Sequence, residues 1–225
     1  MDSIEIQPRN STERKFLKTF ESILNTINHN LIGLITVYMS WRIFHGNLTV
    51  IPLHAWLCIC GFQLLMAEGI LILNPENAWS RYIPFKLKRI FHWILQVIGA
   101  ILGVSGAFLI ISRINRKHFV TTHGVLGIIA TVTTLLNLMV GLCNYSSPRL
   151  ERIIGLNTVK TLHTIFGISG FVSALMALFY GYPYYISGEV LTLFEVSTGV
   201  TIILTLIGPF KSFFILLNLN DLFSH

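Results

Sequence analysis

Charge is what this chain has least of. Only 12% of its 225 residues are charged, about half the share of an ordinary soluble domain. So little charge cannot cover a water-soluble globule in which 53% of residues are hydrophobic and the mean hydropathy is +0.68. Cysteine is scarce as well: three residues cannot all pair, and Cys58 and Cys60 sit inside an apolar run as small core residues, which excludes a disulfide framework. Residues 1–22 are polar and hold no apolar stretch ending in a small-residue cleavage site, so they are expected to be a retained tail, with targeting left to the first span. The net charge of +6 comes from lysines and arginines in short clusters between apolar runs. That spacing suits membrane flanks and argues against a nucleic-acid face.

What the chain has in abundance is apolar length. Crossing about 30 Å of hydrocarbon at about 1.5 Å per residue needs some twenty residues. The sequence supplies six such stretches, at 25–44, 52–73, 90–112, 120–142, 161–181 and 190–210. The expected fold is therefore all-α and polytopic, a transmembrane domain over 25–210 between tails at 1–24 and 211–225. The first stretch is interrupted at its start by Asn25, Asn28, His29 and Asn30, and the last holds Glu195 and Pro209, the latter where a helix would be ending. With the N-terminus inside, Arg9, Arg14, Lys15, Lys18, Arg81, Lys86, Lys88, Arg89, Arg149, Arg152, Lys160 and Lys211 face the cytosol, against Arg42, Arg113, Arg116 and Lys117 outside. Twelve to four orients both termini to the cytosol.

Four of the 8 histidines fall near the starts of consecutive spans: His54, His92, His123 and His163. Successive helices alternate direction, so His54 and His123 lie at the outer level and His92 and His163 at the inner one. Two imidazoles at each depth are what a planar cofactor needs when its iron takes one nitrogen from above and one from below. No Cys-x-x-Cys-His segment occurs, which excludes covalent haem attachment of the c type. At about 100° per residue, each histidine shares its helix face with small residues. These are Gly61 after His54, Gly99, Gly103 and Gly106 after His92, Gly127 after His123, and Gly167 and Gly170 after His163. Such glycines would leave a slot for a flat group; they also serve close helix packing, and Gly99 with Gly103 makes a GxxxG match.

The segments "IPLHAWLCICGFQLLMAEGILI", "KLKRIFHWILQVIGAILGVSG", "FVTTHGVLGIIA" and "VKTLHTIFGISGFV" resemble the histidine-bearing helices of cytochrome b561, in its domain-containing D1/D2 branch. The resemblance runs over roughly residues 30–210. It implies six helices whose middle four hold two haem b groups, ligated by His54 with His123 and by His92 with His163. It further implies an ascorbate-dependent transmembrane reductase that passes single electrons from cytosolic ascorbate to monodehydroascorbate or ferric iron outside. An endomembrane or vesicle membrane and a homodimer are also expected. The chain departs from better-studied members at Thr121, Thr122, Gly124 and Val125 around His123, and at "ILILNPENAW" after the second helix.

A singly charged anion at the inner haem edge needs fixed positive charge. Lys86, Lys88 and Arg89 precede His92, and Arg152 and Lys160 precede His163; the resemblance puts Lys86 first. Plain positive-inside flanking accounts for the same residues. Arg113, Arg116, Lys117 and His118 form an outer basic patch against the orientation rule, and are expected to receive an anionic acceptor or iron chelate. Glu68 and Asn137, each fourteen after a histidine, are expected on the haem-facing sides, where Glu68 would handle protons or bond a neighbouring helix. Gln96 is read as structural, and Tyr180, Tyr182, Tyr184 and Tyr185 as an outer aromatic belt. Two other functions fit four membrane histidines: a proton or metal transporter, or a haem-binding sensor without turnover. Transporters favour carboxylates at mid-membrane and broken helices, and here the histidines sit at helix ends.

Overall fold

The computed structural model describes residues 11–113, 115, 119–146 and 155–223, with side chains left aside at 143–146 and 218–223. Among the described residues the chain is helical throughout, in six long helices: α1 (Ser11–Phe44), α2 (Val50–Leu71), α3 (Phe85–Arg113), α4 (Thr122–Ser146), α5 (Leu156–Gly181) and α6 (Gly188–Phe223). The five from α2 to α6 are long and apolar enough to cross a membrane. Helix α1 is not among them, because its polar residues are turned inward and count against it. Asn25 and Asn28 are buried, Asn28 Nδ2 donates to Thr205 Oγ1 on α6 at 2.9 Å, and His29 Nδ1 meets Glu68 Oε1 on α2 at 2.7 Å. Such bonds join helices where lipid offers no partner.

The middle four helices form a bundle. Helix α2 packs closely along α3 and α4 along α5, while the diagonal pairs α2–α4 and α3–α5 hardly touch. Helices α1 and α6 close the α2–α5 side, where Ile32, Ile35, Met39, Phe62, Phe171 and Leu175 build the apolar core. On the other side α4 remains open, with 11% of its apolar stretch buried.

Three features depart from the expected spans. Residues 59–66 of α2 are π-helical, which winds one extra residue into the helix. Helix α6 runs through Pro209 instead of ending there. The bond that Pro209 cannot give would go to the Thr205 carbonyl, and the α1–α6 contact around Asn28 and Thr205 holds the helix at that turn. The loop after α2 is folded inward, with Asn77 Nδ2 on the Leu71 carbonyl at 3.0 Å and Ser80 Oγ on the Ile72 carbonyl at 3.2 Å. Tyr182 belongs to the core at 1% exposure, bonded to Thr198 at 3.2 Å, whereas Tyr184 at 71% remains at the surface.

Candidate functional site

The four histidines meet in two couples across the diagonals of the bundle. His54 and His123 have ring centres 6.1 Å apart with planes at 87°, and His92 and His163 stand at 6.3 Å and 79°. Two imidazole nitrogens bound on opposite sides of one first-row metal at about 2.0–2.1 Å, each roughly 1.1 Å from its ring centre, put the ring centres about 6.3 Å apart. Each couple therefore has the span of a two-nitrogen axial pair. Along α3 the two levels are about 21 Å apart, from His92 to Gly106 at 1.5 Å per residue.

Hydrogen bonds fix which nitrogen faces inward. His54 Nδ1 donates to the Gly106 carbonyl at 2.8 Å, His92 Nδ1 to Gly69 at 2.6 Å, and His123 Nδ1 to Ala177 at 2.8 Å. His163 Nδ1 lies beside the Asn137 backbone, outside strict hydrogen-bond geometry. With Nδ1 carrying the proton, Nε2 keeps its lone pair, the state a metal ligand requires. The partner carbonyls follow a rule. Gly106, Ala177 and Asn137 each lie fourteen residues after the histidine of their own helix, and Gly69 lies fifteen after His54. The π-helical turn accounts for the extra residue. It also rotates Glu68, the residue expected to face the cofactor, away to His29 on α1.

The glycines divide between the two roles considered. A Cβ on Gly61 would stand 2.5 Å from the Gly99 carbonyl oxygen, and one on Gly103 would meet the Phe62 ring, so these residues bring α2 and α3 together and line no slot. Gly106 is likewise closed by Cys58 and the His54 carbonyl, whereas Gly167 beside Asn137 and Gly170 beside Thr133 and Thr134 line the inner cavity. Gly127 alone among the expected seven has nothing within 4 Å. Two glycines unforeseen from the spacing lie against the rings themselves: an added Cβ would stand 3.3 Å from the His163 ring at Gly141 and 3.2 Å from the His123 ring at Gly181, so a side chain there would crowd the imidazoles.

At the inner level a cavity of about 610 Å3 opens between the helices, in the size range of small-molecule sites. His92, His163, Gln96 and Asn137 line it from within, and Glu21 and Lys211 stand at its mouth. Gln96 Nε2 is engaged by the Met66 carbonyl at 3.0 Å, as a structural residue should be. Thr134 Oγ1 and Asn137 Oδ1 are buried there without a hydrogen-bond partner, so the cavity is lined for an occupant. Among the described residues no three histidines, cysteines or carboxylates gather as a metal cage would require. Two facing imidazoles with no third donor among the described residues would suit a metal that brings its own remaining donors, as haem does, and do not suit a tetrahedral zinc site.

The expected substrate residues are placed less uniformly. Lys86 and Arg89 are exposed on the first turns of α3, and Arg89 is near enough for its charge to act on His92. Lys88 is buried, its Nζ donating to the Asn74 carbonyl at 3.2 Å, which ties the α2–α3 loop to the helix. Lys160 is exposed on α5, and Arg113 is exposed at the end of α3. Arg152, Arg116, Lys117 and His118 lie outside the described residues.

The sequence model of the family described as eukaryotic cytochrome b561 matches residues 53–186, a stretch that includes all four paired histidines. The chain is similar to the transmembrane reductase CYB561D2 of Mus musculus and to that of Homo sapiens, each 27% identical over 131 residues. These matches cover 57% of this chain and 59% of each relative, so the chain spans about three-fifths of their length. The Bos taurus protein of the same name is 23% identical over 173 residues, 76% of this chain and 77% of the relative. No solved structure matches.

Proposed function

The chain belongs to the eukaryotic cytochrome b561 family, in its D1/D2 branch, and from that premise we propose that it passes electrons across a membrane through two haem b groups. The observation that carries this reading is the pair of imidazole couples at 6.1 and 6.3 Å, one toward each end of the bundle. His54 and His123 would hold the outer haem, and His92 and His163 the inner one. When bound, haem supplies a one-electron iron couple that the polypeptide lacks.

The chain's own residues do the rest. Each backbone carbonyl bonded to Nδ1 holds its ring in place and makes Nε2 more basic, which favours the oxidised iron and lowers the reduction potential. Apolar side chains of α1, α2, α5 and α6 keep water from the bundle's closed side. The two histidine levels, about 21 Å apart along α3, would place bound haem at two depths and so divide the roughly 30 Å barrier. Ascorbate is the proposed donor, attracted to the inner side by exposed Lys86, Arg89 and Lys160, with Arg152 of the same cluster. Monodehydroascorbate or a ferric chelate is the proposed acceptor, at the patch that begins with Arg113. In this reading 25–210 is the transmembrane domain and both tails are cytosolic, in an endomembrane or vesicle membrane, with the chain forming a homodimer. The relatives' printed name, transmembrane reductase, supports an oxidoreductase.

The test is a liposome loaded with ascorbate, carrying the purified protein, with ferricyanide or a ferric chelate supplied outside. Acceptor reduction that depends on the protein and on internal ascorbate supports the reading. Haem that internal ascorbate leaves oxidised would overturn the choice of donor.

A further inference from the structure

We propose that Lys211 is the anion-recognising residue of the inner mouth and that Glu21 is its resident counter-anion, displaced by an incoming small organic oxyanion. This rests on the electron-carrier reading and gives its donor side a residue that the described members of the clusters before His92 and His163 do not supply.

Among the described residues lining the inner cavity, Lys211 is the one lysine or arginine; of the two carboxylates there, Glu76 pairs with Lys18 at 3.5 Å and Glu21 with Lys211 itself. Lys86, Lys88, Arg89 and Lys160 all lie outside that lining, and Lys88 is already bonded to Asn74. Lys211 stands two residues beyond Pro209, on the part of α6 that continues past the expected end of the span. Its Nζ meets Glu21 Oε2 of α1 at 2.7 Å, and the other oxygen of Glu21 accepts from Asn74 Nδ2 at 3.2 Å. The two sides of this latch are unequal. The Lys211 side chain is 57% exposed and that of Glu21 20%, so the carboxylate is held from behind while the ammonium is open to water. An ion pair this exposed is weak and screened by salt, so an anion drawn to the mouth competes with Glu21 for the same Nζ. An ammonium offers three donors and a compact charge, which suits a singly charged carboxylate or enolate flanked by hydroxyls. Ascorbate is of that class, and so are the carboxylates at the edge of haem.

The two variants that break the latch should act in opposite directions. The measurement is equilibrium dialysis of labelled ascorbate against the purified haem protein held fully reduced, so that no electron moves, alongside haem content per chain. Lys211→Met should weaken ascorbate binding about tenfold, the worth of one charge-assisted contact. Glu21→Gln should tighten it about threefold, and Lys211→Arg should stay within about threefold of wild type. If Lys211→Met releases haem while ascorbate binding holds, the recognised anion is the macrocycle's own carboxylate, and Lys211 keeps its role toward that source. Equal effects of the same sign from Lys211→Met and Glu21→Gln would mean a mere tie between α1 and α6, and would overturn the proposal. So would unchanged binding and haem content in both. A purified protein lacking a b-type spectrum would end the electron-carrier reading, while dialysis of that protein would still test Lys211.

Discussion

Gly61→Ala should loosen both histidine couples at once, although the residue touches neither. Its new Cβ would stand 2.5 Å from the Gly99 carbonyl oxygen and 2.6 Å from the Gly103 nitrogen. Both are backbone atoms of α3, so no side chain can swing aside, and α2 and α3 must part by about 1 Å to restore ordinary contact. Gly61 lies near the middle of the stretch between the two bonds that join these helices through a histidine, His54 to Gly106 at 2.8 Å and His92 to Gly69 at 2.6 Å. An opening of that size stretches both past the roughly 3.2 Å limit of a useful hydrogen bond. Overpacking costs about 1–3 kcal/mol and each lost bond about 1 kcal/mol more, so the total is about 3–5 kcal/mol. The assay is haem per chain by pyridine haemochrome together with a thermal melt in detergent. Gly33→Ala serves as control, since nothing lies within 4 Å of its Cβ position. A Gly61→Ala protein with wild-type haem content and melting temperature would refute the view that close α2–α3 contact sets the histidines.

Other substitutions probe the pairing and the role of α1. His92→Ala or His163→Ala should remove the inner haem and leave the outer one, halving haem per chain, whereas loss of the outer haem from either variant would contradict the couples at 6.1 and 6.3 Å. Glu68→Ala should lower thermal stability by about 1–3 kcal/mol through loss of the bond to His29, with haem content unchanged. Inner haem lost without a stability change would return Glu68 to the cofactor side.

The histidines were legible because their spacing against span length carries depth, and depth is enough to sort four residues into two levels. Helix faces were less legible. The 100° count that put Glu68 on the histidine face assumes 3.6 residues per turn throughout, and the π-helical stretch at Ile59–Met66 breaks that assumption by one residue. The glycines were ambiguous in principle, since a missing side chain admits either a flat ligand or another helix, and the α2–α3 contact took the second option at Gly61, Gly99 and Gly103. Hydropathy undervalued α1 because Asn28 and His29 spend their polarity on other helices and Asn25 is turned inward, and a one-dimensional average cannot tell an inward amide from a lipid-facing one. Pro209 marked a missing hydrogen bond but no helix end, so Lys211 was counted as a tail residue although it stands at the cavity mouth. Lys88 shows the same limit for charge: a lysine in a flanking cluster reads as solvent-facing, yet this one closes a loop.

The most direct measurement is the optical and electron paramagnetic resonance spectrum of the purified protein, with iron and haem counted per chain. Two b-type haems should appear, both low-spin. Because the rings of each couple stand at 87° and 79°, the ferric signals should have the strong anisotropy of nearly perpendicular axial imidazoles. Failure to bind haem, or a high-spin centre with a single axial histidine, would contradict the account.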